Sequence, residues 1–145
     1  MTSLLTICSL TVLLSQPPAA AAKADDLARF QGTWKGTVGQ DTTVGIVLIF
    51  EKSNYTVSFS TTDGASYTFK GEYKLDDKAK PATIDFVKSK GPDGQEVPET
   101  LGLYQFEGDD TLKLCTSEAG QPRPAKIEKG ENDSPPYLVT YTRQK

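Results

Sequence analysis

The chain has 145 residues, 16 Lys and Arg against 19 Asp and Glu, a net charge of −3, no histidine and one tryptophan. The two signs of charge are interspersed, which excludes the basic patch that nucleic acid demands and the cationic face that an anionic membrane attracts. Without histidine there is no Ser-His-Asp or Cys-His nucleophile system and no usual zinc site, so the sequence assigns no catalytic residue, metal or cofactor.

Taken from the N-terminus, residues 1–24 read as a secretory signal. Leu4 to Leu14 is an apolar run of about eleven residues, too short for the roughly twenty that span a bilayer. Ala22-Lys23-Ala24 then meets the small-x-small rule, and cleavage is expected after Ala24. Cys8 lies inside the run and not at the cleavage point, which argues against a lipid anchor. The expected product, residues 25–145, is secreted or periplasmic, is not inserted in a membrane after cleavage, and has the size of one domain. Its only cysteine, Cys115, leaves no internal disulfide to staple it and reads as a buried thiol.

"DDLARF" predicts a helix of one or two turns, with Asp25 and Asp26 at its positive end and Leu27 and Phe30 on one face. Beyond Gly32 the hydrophobic period is two. Tyr67, Phe69, Gly71, Tyr73 and Leu75 alternate with Thr68, Lys70, Glu72 and Lys74, a strand with one dry and one wet face. Similar patterns at Trp34 to Val38, Val44 to Phe50, Tyr55 to Ser60, Thr83 to Val87, Leu101 to Phe106, Thr111 to Thr116 and Tyr137 to Arg143 bring the total to eight strands. "GIVLIF" is apolar on both faces, so the helix or a second subunit is expected over its outer side. Glycine, proline and Asx turns such as "TTDGAS" and "GPDGQE" link the strands as antiparallel hairpins. The connection "SEAGQPRPAKIEKGENDSPP", with four prolines, is too long for a hairpin and reads as a flap or as cover for one more strand at Ala125 to Glu128.

Eight short antiparallel strands in sequence order avoid exposed edges by closing, so the expected fold is all-β, a small eight-stranded up-and-down barrel with a short N-terminal helix; a two-sheet sandwich is the alternative. Glu72 and Asp85 are the one carboxylate pair on neighbouring strands, and the lysines flanking Glu72 place it on a solvated face.

Gly32-Thr33-Trp34 after a short helix resembles the opening motif of lipocalins and related calycin barrels. Together with "YTFKGEYKLDDKAKPATIDF", "GLYQFEGDDTLKLC", "QPRPAKI" and "LVTYTRQK", it makes Leu27 to Lys145 similar to the lipocalin-like domains found in planctomycete bacteria. The resemblance implies a barrel closed at one end by Trp34, with Arg143 of the last strand across the indole. It implies no activity.

An eight-stranded barrel is either filled by its own side chains or holds one small ligand. The residues expected to line such an interior site are Tyr55, Phe59, Phe69, Tyr73, Leu103, Leu114 and Tyr141. A partly apolar small molecule is the expected partner if the interior exceeds roughly 300 Å³, the lower end for ligand sites. A filled barrel would instead recognise a protein or cell-envelope polymer, as an interaction or inhibitor module, through its loops, Gly91 to Thr100 or Pro122 to Pro136.

Overall fold

The computed structural model describes residues 26–38 and 44–145; the expected signal segment and the turn between the first two strands lie outside them. A short helix, α1 (Asp26–Phe30), is followed by β1 (Gly32–Val38), β2 (Val44–Glu51), β3 (Asn54–Ser60), β4 (Ser66–Asp76), β5 (Thr83–Lys90), β6 (Glu96–Val97), β7 (Thr100–Glu107), β8 (Thr111–Thr116) and β9 (Tyr137–Arg143). All pairings are antiparallel. They run β1-β2-β3-β4-β5-β7-β8-β9 and return to β1 through Trp34 opposite Arg143 and Gly36 opposite Tyr141, which closes an eight-stranded barrel and excludes the sandwich. The two-residue β6 hangs on the end of β5 and is not a stave.

Alternation decides what faces in. Trp34, Ile46, Leu48, Phe50, Tyr55 and Tyr73 sit at every second position and are all buried. Helix α1 does not lie on the outside of β2 as expected; it enters one end of the barrel. Phe30 is fully buried there, with its ring centroid 5.0 Å from Phe50, 4.9 Å from Tyr104 and 5.0 Å from Phe106, all edge-on. Edge-to-face rings at this spacing are worth about 0.5–1.5 kcal/mol a pair beyond their buried area, which is enough to hold five residues of helix. Leu27, expected on the same face, is 39% exposed. Asp26 takes the inward place, and its Oδ2 accepts a hydrogen bond from Tyr104 Oη at 2.7 Å.

The outer side of β2 is therefore not covered by α1. Ile49 is 39% exposed and Val47 half-buried. Their cross-strand neighbours are Thr33 and Thr56, and Lys35 and Ser58; methyl groups and a lysine stem shield them in part.

The proline-rich segment forms no strand at Ala125 to Glu128; it is a strap across the outer face of β5, β7 and β8. Arg123 Nη1 donates to Gly102 O at 2.8 Å and lies 2.6 Å from Asp85 Oδ1. Cys115 Sγ lies 3.5 and 3.4 Å from the carbonyls of Lys126 and Glu128. Beneath the strap Leu103 and Cys115 face each other across β7 and β8, almost fully buried yet outside the barrel wall.

Candidate functional site

The helix end of the barrel is solid. Trp34 is completely buried, its indole Nε1 donates to Phe30 O at 2.8 Å, and the Arg143 guanidinium lies over the ring at 4.2 Å from its centroid. Arg143 also donates to Gln31 O at 2.7 Å and Arg29 O at 2.6 Å, two carbonyls at the C-terminal end of α1. One side chain thus tethers helix, indole and barrel seam. Tyr73 belongs to this plug: its hydroxyl donates to Lys52 O at 2.7 Å and accepts from Gln31 Nε2 at 3.0 Å.

Above the plug the barrel is hollow. A cavity of about 240 Å³ is floored by Leu48, Tyr55, Phe86, Leu114 and Tyr141, each no more than 7% exposed. Its walls rise through Val57, Phe59 and Phe69 to Val97 and Thr100, which are half-buried, so the space opens to solvent at the end away from α1. This is a cup and not a sealed chamber. It is smaller than the roughly 300 Å³ expected of a pocket that encloses a drug-sized ligand. The volume expected of an enclosed small-molecule site is therefore not reached, and the space suits only a smaller molecule or one whose far end protrudes from the mouth.

Of the seven residues expected to line the interior, Tyr55, Phe59, Phe69, Leu114 and Tyr141 are brought together around the cup. The other two are not. Tyr73 is one turn of the barrel too low, in the plug, and Leu103 points outward beneath the strap because its neighbours Gly102 and Tyr104 take the inward positions. Strand alternation fixes the parity of a side chain, and Leu103 has the outward parity, opposite Cys115.

Ser89, not among the expected residues, also lines the cup, for a related reason. Continued alternation from Ile84 and Phe86 would send Lys88 inward. Instead β5 carries one extra residue opposite Gly71, with Lys88 in the left-handed region at φ 50°, and the parity shifts so that Ser89 faces the cup. A charge at an apparently inward position was the available signal. Gly71 makes the bulge fit: a Cβ there would lie 2.7 Å from Val87 O and 2.9 Å from Tyr55 Cε1.

Five hydroxyl-bearing residues line the cup: Tyr55, Ser89 and Tyr141, together with the half-buried Thr100 and Thr116. Tyr55 Oη and Ser89 Oγ share a hydrogen bond of 2.5 Å. Tyr141 is 5% exposed, and its hydroxyl has no hydrogen-bond partner among the described residues. Burial pushes its phenol well above the usual tyrosine range. Burial also raises Tyr55, against a smaller opposing effect of the Ser89 bond. Among the described residues, no Lys, Arg, Asp or Glu lines the cavity.

The carboxylates stand elsewhere. Glu72 pairs with Lys88 at 3.1 Å and Asp85 with Arg123, both outside the barrel. Among the described residues no three His, Cys, Asp or Glu side chains gather as a metal set. Both long loops are engaged by the barrel itself: Val97 and Thr100 form part of the cup's wall, and the strap is bonded to β7 and β8. No protein-family model, curated protein or solved structure matches this chain.

Proposed function

We propose that the protein is a non-catalytic, lipocalin-like binding barrel that holds a small, mainly apolar molecule in the cup. The observation that carries this is the division of the interior: aromatic side chains fill one half, and an apolar space of about 240 Å³ is left open in the other. The Gly32-Thr33-Trp34 opening, with Arg143 over the indole, supports the lipocalin-like reading. The expected signal segment supports a secreted or periplasmic site of action, checked by N-terminal sequencing of the exported product for a start at Asp25.

A buried apolar cavity of ~150 Å³ accepts benzene, so this one takes about ten non-hydrogen atoms. At about 0.5 kcal/mol per atom the expected Kd is on the order of 0.2 mM for a molecule that stays within the cup. The test is titration of isotopically labelled protein with n-butylbenzene, read by methyl NMR. Saturable shifts at Val57, Leu114 and Val139, with Leu103 unmoved, support the reading. Absence of saturable shifts at the cup, or shifts confined to the outer faces, would refute it.

A further inference from the structure

We infer that the cup selects an uncharged molecule carrying a single hydroxyl or carbonyl at its buried end, with Tyr141 as the group that recognises it. The inference rests on the binding reading above and deepens it.

Three observations support it. First, among the described residues no ionised side chain lines the cavity, so a carboxylate, phosphate or ammonium at the buried end of the ligand would be desolvated with no counter-charge from them. Second, Tyr55 and Ser89 bond each other at 2.5 Å, which leaves the pair one hydroxyl hydrogen, and Thr100 and Thr116 are half-buried and not at the floor. Third, Tyr141 is at the floor, nine-tenths buried, and unpartnered among the described residues. Its ring is buried but its hydroxyl is not sealed off, so in the empty cup it relies on water entering at the mouth, and a ligand that displaces that water must replace the bond. The fold makes room for the ring instead of bonding its hydroxyl: Gly36 sits opposite Tyr141 on β1, and a Cβ there would fall 3.0 Å from Tyr141 Cδ1 and 2.8 Å from Val139 Cγ1. The sequence keeps a polar tip in an apolar floor and supplies nothing inside the fold to satisfy it.

The experiment compares four molecules of nearly equal size, n-butylbenzene, 3-phenyl-1-propanol, 3-phenylpropanoate and 3-phenylpropylammonium, on the native protein and on Tyr141→Phe. The alcohol is expected to bind at least about tenfold more tightly than either ion, and Tyr141→Phe to weaken it by about tenfold while leaving n-butylbenzene unchanged or tighter. Thermal stability of Tyr141→Phe is expected to be unchanged or raised, since an unpaired hydroxyl is removed. An alcohol no more sensitive to the substitution than n-butylbenzene, an ion that binds best, or a marked loss of stability would overturn the inference while leaving the binding reading in place. Failure of all four molecules to bind would overturn both.

Discussion

Arg143→Met tests whether one guanidinium holds the plug together. The side chain is 23% exposed, donates to Gln31 O and Arg29 O, and reaches Asp109 O through Nε at 3.2 Å. After a discount for solvent screening, the two shorter bonds are worth about 1 kcal/mol each and the indole contact about 1 kcal/mol. Its ion pair with the half-exposed Asp110, at 3.7 Å, adds little. Methionine keeps the packing of the stem and loses the rest, so the expected cost is about 3 kcal/mol, or on the order of 12 °C in Tm for a domain of this size. Lysine keeps the charge but not the fork, and about half that cost is expected. Urea denaturation followed by the fluorescence of Trp34, the chain's only tryptophan, measures both variants against the native protein. A methionine variant within about 0.5 kcal/mol of wild type, or lysine no better than methionine, would show that the plug stands on apolar contact alone.

Gly71→Ala is expected to cost about 1–3 kcal/mol by overpacking and to displace Tyr55 from Ser89, seen as a lower urea midpoint and shifted Tyr55 resonances. Tyr55, Tyr104 and Tyr141 all have phenol pKa values raised in the folded state, by burial first and, for Tyr104, also by the Asp26 carboxylate. Raised folded values make the stabilising contribution complete below the unfolded value of about 10 and lost as pH climbs through the folded ones, so phenolate absorbance at 295 nm should rise together with alkaline unfolding. Full ionisation of all six tyrosines near pH 10 in still-folded protein would contradict this. Cys115 is fully buried under the strap and its thiol is pushed up by burial; peptide mapping after alkylation should find it labelled on the order of a hundredfold more slowly than in urea, and rapid native labelling would mean the strap does not cover it.

The barrel was legible in the sequence because a period of two with short polar turns leaves an antiparallel chain few other ways to bury one face. The plug was legible at Trp34 and Arg143 through a resemblance, and only in outline: nothing in "DDLARF" distinguishes a helix laid on the wall from one whose Phe30 enters the barrel, since an amphipathic turn suits both. Parity was the weak link in the candidate site. Leu103 and Cys115 are as apolar as the core residues beside them, and only the strap, a tertiary feature built from an irregular segment, explains why an outward face is dry. Ser89 depended on a bulge that Lys88 hinted at, and Tyr73 on how far up the barrel the aromatic filling reaches, which is a matter of volume and not of pattern.

The strongest argument that the cup is a site and not a packing fault lies in what filling it would gain. At ~24 cal/mol per Å³, a sealed void of about 240 Å³ would cost on the order of 6 kcal/mol, against a typical total stability of about 5–15 kcal/mol. Water entering at the mouth reduces that figure without removing it. Val57, on the cup wall, faces Leu48 across β2 and Phe69 across β4. Val57→Phe would fill ~50 Å³ of the space, with an expected gain of about 1 kcal/mol and a Tm higher by about 4 °C. The same substitution should weaken n-butylbenzene at least about tenfold, because the added ring occupies the volume the ligand needs. A variant that loses stability and keeps its affinity would mean that the space is not available to either ring or ligand. Stability and binding moving in opposite directions is what a maintained site requires, since selection for stability alone would have closed the cup.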